Sequence, residues 1–232
     1  MASRAKQEQI QEYFSGNPLG CLYAVAIIIG IILLFAAPIV GVIIIGLSIW
    51  GITKLKKGLS DRQIEDEYRY FAESKMDEAK TACGITDEML IQNSEWFWYV
   101  DNFFDEEKNE MNEKEYKEGD DKITRANTRG IVILNYGKDQ IFTYKIVVNI
   151  CNGKTSDYDT SEYFYQDVVG IEVKQNTILE LKTSAGAVSY YIRGSQKSGA
   201  SNPKDKESGD ITRAKSVVSS VRQMTRERKR LR

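Results

Sequence analysis

The segment that decides the fold is Gly130-Ile-Val-Ile-Leu-Asn-Tyr-Gly-Lys-Asp-Gln-Ile-Phe-Thr-Tyr-Lys-Ile-Val-Val-Asn-Ile-Cys-Asn-Gly153. It holds two runs rich in β-branched and aromatic residues, a strand composition. Gly137-Lys-Asp separates them, and Asn152-Gly153, a strong turn dipeptide, ends the second. The segment therefore predicts strands at 130–136 and 140–151 joined as a hairpin.

The same rhythm extends outward in both directions. Upstream, 96–104 is aromatic-rich and reads as a strand. Downstream, strands are expected at 162–165 and 168–174. Leu179 and Leu181 alternate with Glu180 and Lys182, and Val188, Tyr190 and Ile192 alternate with Ser189, Tyr191 and Arg193. Ser184-Ala-Gly186 turns the chain between those last two. Period-2 alternation implies antiparallel strands covering one core. About seven strands result, spanning a β domain at 93–193.

Two polar stretches interrupt this pattern. Residues 105–126 form a charged insertion in which acids outnumber lysines, read as a solvated loop. Residues 194–209 are rich in Ser, Gly, Lys and Asp, a low-complexity loop. A final helix is expected at 210–232. Asp210 is its candidate N-cap, and Ile211, Ala214, Val218, Val221 and Met224 share one face.

Before the β domain lies a helical region at 58–92. Ser60 and Gln63 have capping-box spacing, and Leu59 and Ile64 the spacing of a hydrophobic staple. Ile64, Tyr68, Phe71, Met76 and Ala79 recur at helical spacing, and Gly84 is a natural stop. One amphipathic helix over 61–83 follows, with a short second helix from Thr86 to residue 91. The region would act as a coupling rod, or pack on the β domain or on a second copy.

Residues 13–53 carry no charge, and 20–53 are strongly apolar. A hydrocarbon core of ~30 Å needs about 20 apolar helical residues. The stretch therefore predicts an N-terminal transmembrane segment, as a hairpin turning near 36–38 or as one long tilted span, behind a cytoplasmic segment at 1–19. Arg4 and Lys6 before it, and Lys54, Lys56, Lys57 and Arg62 after it, favour the hairpin with both ends inside. The expected localisation is the cell membrane, integral, with the C-terminal domain cytoplasmic.

Seven short antiparallel strands followed by one amphipathic helix resemble the pleckstrin-homology-like superfold, including the bacterial PH and GRAM-type domains. The resemblance rests on Tyr163-Phe-Tyr-Gln-Asp-Val-Val-Gly-Ile-Glu-Val, on Thr177-Ile-Leu-Glu-Leu-Lys-Thr, on the strand ending at Ile192 and on the final helix. It covers roughly residues 94–230. It implies an α+β protein whose antiparallel β-sandwich or barrel is closed at one end by the helix. Phosphoinositide-binding members usually carry basic residues in the loop between their first two strands. The matching loop here, 105–126, is acidic on balance, which argues against that mode of binding.

Composition limits the chemistry. The 232 residues include no histidine, and the formal net charge is -1. A Ser-His-Asp triad and a His-based zinc site are excluded. Cys21, Cys83 and Cys151 form neither a CxxC pair nor a disulfide framework. No P-loop, GxGxxG, nucleophile elbow or HExxH occurs. Asp157, Asp159 and Glu162 read as turn carboxylates. No catalytic residue, cofactor, metal or small-molecule substrate is therefore assigned, and no nucleic-acid binding is expected.

The expected contacts with anionic lipid are Lys54, Lys56, Lys57, Arg222, Arg226, Arg228, Lys229, Arg230 and Arg232. The expected function is a non-enzymatic, membrane-anchored interaction or scaffold module that binds a protein partner, itself or the inner leaflet. The alternative is a structural or oligomeric membrane protein in which the hairpin is the functional part.

Overall fold

The computed structural model describes residues 4–16, 18–54, 59–99, 115–121, 123–192 and 209–230. Most of the expected charged insertion and nearly all of the low-complexity loop lie outside these. The chain divides into two compact units, Ala2–Ser60 and Asp61–Arg232.

The first unit contains helices α1 (Arg4–Ser15), α2 (Pro18–Ala36) and α3 (Pro38–Lys54). Pro38 opens α3, at a position where its missing N–H costs nothing. α2 and α3 pack against each other through glycines. A Cβ at Gly41 would stand 2.7 Å from the carbonyl oxygen of Gly30, so the two backbones touch there. Elsewhere the hairpin exposes apolar side chains, among them Leu22, Ile32, Phe35, Ile39 and Leu47.

This arrangement corrects the expected transmembrane segment and, with it, the integral-membrane localisation. Among the described residues, no helix is long and apolar enough to cross a membrane. The break at Ala37–Pro38 leaves helices of 19 and 17 residues. At 1.5 Å per residue these are about 28 and about 25 Å long, short of a ~30 Å hydrocarbon core. The cytoplasmic placement of the C-terminal domain rested on that span and falls with it.

The second unit opens with α4 (Asp61–Ser74) and α5 (Met76–Ala82), where one helix was expected. The break has a local cause. Ser74 Oγ donates to the Phe71 carbonyl (2.7 Å), and the Lys75 N–H reaches the Ala72 carbonyl (3.1 Å). A side-chain bond thus competes with the helical ladder and tightens the turn. Gly84, at φ +67°, ends α5. The Gly84 N–H bonds Thr81 O and the Ile85 N–H bonds Lys80 O, which is the Schellman pattern. The short helix expected after Thr86 is a single 3-10 turn, Asp87–Met89, because Leu90 already pairs with Gly137.

Among the described residues nine strands follow: β1 (Leu90–Tyr99), β2 (Tyr116–Glu118), β3 (Thr124–Ala126), β4 (Thr128–Gly137), β5 (Gln140–Asn149), β6 (Asp159–Phe164), β7 (Val168–Lys174), β8 (Ile178–Thr183) and β9 (Gly186–Tyr191). They form a four-stranded sheet in the order β1-β4-β5-β6, a three-stranded sheet in the order β7-β8-β9, and the small hairpin β2-β3. All pairings are antiparallel. The β2-β3 hairpin lies inside the expected solvated insertion, so that part of the insertion is ordered. Helix α6 (Gly209–Arg230) ends the unit.

β4 is buried along its whole length. Val132, Leu134 and Tyr136 join Phe97 and Tyr99 of β1 in a core shared with the three-stranded sheet and α6. Ile211, Ala214, Val218, Val221 and Met224, the predicted helix face, lie in that core together with Val217. On the other face of β4, Ile131 pairs with Trp98 and Ile146, and Ile133 with Trp96 and Tyr144. That face is covered by α4 and α5. Tyr68 donates to Ala126 O (2.6 Å), and its ring meets Trp98 at 5.2 Å. Tyr144 donates to Glu78 (2.6 Å).

Gly130 pairs with Tyr99, and a Cβ added there would fall within the Tyr99 ring. Gly130→Ala should therefore expel a ring that is 4 % exposed and destabilise the domain by roughly 1–3 kcal/mol. Urea denaturation of the variant checks this. An unchanged midpoint would mean that the ring does not depend on the missing Cβ.

Candidate functional site

Of the basic residues singled out by sequence, Arg222, Arg226, Arg228, Lys229 and Arg230 lie on the C-terminal half of α6, and two of these are already engaged. Arg222 Nε donates to the Ile171 carbonyl (3.0 Å), and Lys229 Nζ donates to the Val168 carbonyl (3.0 Å). Both carbonyls belong to β7, which pairs with β8 on one side only within its sheet. The helix thus covers the β7 edge with cationic side chains, one way of blunting an edge strand. A groove of about 460 Å³ runs between the two elements, lined by Val168–Glu172, Lys182, Arg222, Thr225, Arg226 and Lys229. Arg226 and Arg230 line the adjoining groove of about 800 Å³, and Arg228 lies on the same helix. Lys54 closes α3, but its side chain is outside the described set, as are Lys56, Lys57 and Arg232.

Sequence reading missed a second site, a cleft of about 270 Å³ bounded by α4, β1, the β2-β3 hairpin and the N-terminal half of α6. Its walls hold Trp96 and Trp98, four arginines (Arg69, Arg125, Arg129, Arg213) and three carboxylates (Glu65, Asp121, Asp210). Arg125 is 3 % exposed. Its Nε lies 2.8 Å from Glu65 and its Nη2 2.6 Å from Asp121, while Asp61 stands 3.9 Å from Nη1. Arg129, also buried, pairs with Asp210 and lies over the rings of both Tyr68 (5.0 Å) and Trp98 (5.3 Å). Arg213 stacks 3.8 Å from the centre of the Trp96 ring, a cation–π contact.

Electrostatics follow from this pairing. Burial raises the Glu65 carboxyl above its ordinary range, helped by nearby Asp210, with Arg129 and Arg125 pulling the other way. The hydrogen bond from Arg125 holds Asp121 below its ordinary value of 3.8, outweighing partial burial. Burial lowers Arg213, and the neighbouring charge of Arg69 adds to the effect. Burial works against the Arg129 charge, but Asp210, Tyr68 and Glu65 together more than offset it and raise Arg129 above its ordinary value.

The same physics acts on the thiols of Cys83 and Cys151. Burial pushes Cys83 up to about 11 and Cys151 up to about 12, so both stay protonated near neutrality. Among the described residues, no group of three or more His, Cys, Asp or Glu side chains could hold a metal ion.

A faint signal for the cleft does exist in the sequence. Trp96 and Trp98 alternate on a strand, so they share a face. Arg125 and Arg129 flank Ala126-Asn127-Thr128, where the most apolar strand begins. No family model matches the chain, and neither a curated protein nor a solved structure matches it.

Two outcomes test this electrostatic arrangement. Asp210→Asn removes the partner of a buried guanidinium and should cost roughly 3–5 kcal/mol, as expected for an orphaned buried charge. Thermal and urea denaturation read it, and a loss below about 1 kcal/mol would show that Arg129 finds another partner. Asp121 has a lowered folded-state pKa, so it contributes stability above its unfolded value. That contribution is lost as pH falls through about 3.8 towards the folded value. Asp121→Asn should therefore flatten the stability profile in that window and leave the slope above pH 5 unchanged.

Proposed function

We propose that residues 61–232 form a non-catalytic interaction module that binds an acidic segment of a protein partner along the α6–β7 groove. The observation that carries this reading is the charge of that groove. Arg222, Arg226 and Lys229 line it together, and Arg230 adds to them in the adjoining groove. Of the two acids present in these grooves, Glu172 already pairs with Lys182 at 2.8 Å, and Glu227 accepts from Gln223 at 2.9 Å. Val169, 69 % exposed, provides an apolar contact among the cations. The buried Thr225 Oγ has no hydrogen-bond partner among the described residues.

The order of elements supports the resemblance to the pleckstrin-homology-like superfold. A meander of four strands (β1, β4, β5, β6) is followed by a meander of three and then by one helix packed into the core. Protein binding is one of the roles that resemblance implies. Fold alone does not choose a role, and the cationic groove favours an acidic partner. In the cleft, every lining carboxylate accepts from an arginine. The site is thus arranged to hold elements together, with no carboxylate left free to act as a base.

Fluorescence anisotropy with the full-length chain and a labelled Glu/Asp-rich peptide tests the proposal. Binding should be saturable and weaken with salt. The double variant Arg226→Glu, Arg230→Glu should lose roughly tenfold or more in affinity, since rim charges act through electrostatic complementarity. Both side chains can be reversed without touching the Arg222 and Lys229 bonds to β7. Unchanged affinity in that variant would overturn the reading. So would binding to vesicles of anionic lipid without binding to the peptide, which would assign the groove to a lipid surface.

A further inference from the structure

The edges of the two larger sheets are not guarded alike. β7 receives Arg222 and Lys229 on its carbonyls. β1 is interrupted by register shifts and tied to α6 by Gln92–Ser220 (3.2 Å) and Glu95–Ser216 (2.8 Å). β6 carries Asp159 and Glu162. Bulges, charges and a covering helix all keep an edge strand from pairing further. β9, Gly186-Ala-Val-Ser-Tyr-Tyr191, is uncharged, free of proline and in unbroken register with β8. The Ile192 N–H bonds the carbonyl of Thr177. Backbone groups alternate in direction along an antiparallel strand, so those of Val188 and Tyr190 also face β8, and those of Ala187, Ser189 and Tyr191 point away from it. All three of these residues are exposed, and among the described residues β9 pairs with no strand besides β8.

We propose that β9 is a dimerisation edge, which pairs antiparallel with β9 of a second copy of this chain about a two-fold axis at Ser189. The strand's own sequence carries the choice of partner. In this register Ser189 meets Ser189, and Ala187 meets Tyr191 of the second copy. These are the outward-pointing residues, and their pairing forms about six backbone hydrogen bonds between the copies. Val188 meets Tyr190 in the closer, non-hydrogen-bonded positions, and a β-branched residue opposite an aromatic one is a favourable cross-strand pair. Large side chains thus fall opposite smaller ones, and no like charges meet. The pairing joins the three-stranded sheets of two copies into one continuous sheet. It occupies the open edge of both copies, so assembly closes at the dimer. The edge shares no residue with the α6–β7 groove and does not depend on the function proposed for that groove.

Cysteine crosslinking of the full-length chain tests both the edge and the register. Opposed residues of a hydrogen-bonded antiparallel pair have Cα atoms about 5.5 Å apart, within the range of a disulfide. On mild oxidation Ser189→Cys should give a 189–189 disulfide, identified by peptide mass. Ala187→Cys and Tyr191→Cys should each crosslink poorly alone, because identical positions lie about 14 Å apart in this register, and readily when the two variants are mixed. Thr160→Cys, exposed on the β6 edge, is the control that should not crosslink. Because the bond is read at chosen positions, association through the exposed hairpin does not imitate this pattern. Adding Ala187→Pro to Ser189→Cys removes an outward N–H without touching the bonds to β8, and should slow crosslinking roughly tenfold. If that variant proves unstable, the mixing experiment still decides. No disulfide at Ser189→Cys, crosslinking at Thr160→Cys as strong as at Ser189→Cys, or no gain on mixing the 187 and 191 variants would overturn the proposal. An edge taken by a strand of another protein would give the first of these results.

Discussion

The domain at 61–232 depends on one constraint: β4 must be kept from water on both faces. A strand of this composition cannot end a two-layer sandwich with one face in solvent. Ile131, Val132, Ile133 and Tyr136 are each at most 1 % exposed. Burying each such side chain contributes about 1.5–3 kcal/mol, so leaving either face uncovered would forfeit much of a domain's net stability. Two layers are therefore recruited to one sheet. The three-stranded sheet and α6 close the inner face, and α4 with α5 closes the outer one. The helices ahead of the strands are thus part of the domain's packing.

The arginine pairs act on a different level. Arg125 ties the β2-β3 hairpin to α4 through Glu65, and Arg129 ties the start of β4 to the N-terminal turn of α6 through Asp210. Buried ion pairs add little net stability after desolvation, but breaking one is costly. Their effect is to fix which segments meet, so that elements far apart in sequence converge on one cleft. The same convergence places Trp96, Trp98 and Arg213 together.

Much of the strand arrangement was legible in the residues. β7 runs over the predicted 168–174, and every residue of the predicted α6 face is buried. Both follow from local periodicity, the part of the code a short window can read. The unbroken apolar run at 131–134 was itself a sign of two-sided burial, which alternation elsewhere obscured. The break at Lys75 depends on one serine turning its hydroxyl back on the helix. The turn between β7 and β8 needs Gln175 and Asn176 at φ +51° and +55°, without a glycine to announce it. Composition makes the 20–53 stretch one apolar run, whereas the break at Ala37–Pro38 sets the length of each helix. The cleft was hidden because its walls come from four separated segments.

Native-state hydrogen exchange on the full-length chain tests the two-sided burial of β4 most directly, with two variants that loosen opposite layers. Tyr68→Ala acts on α4, and Val221→Ala acts on α6. The prediction is that each variant lowers the protection of the β4 amides at 131–136 by the same free energy that it removes from global stability, because both layers hold one cooperative unit. If loosening α4 leaves β4 protection unchanged while loosening α6 reduces it, the outer helices are an addition to a self-sufficient sandwich, and the account is contradicted.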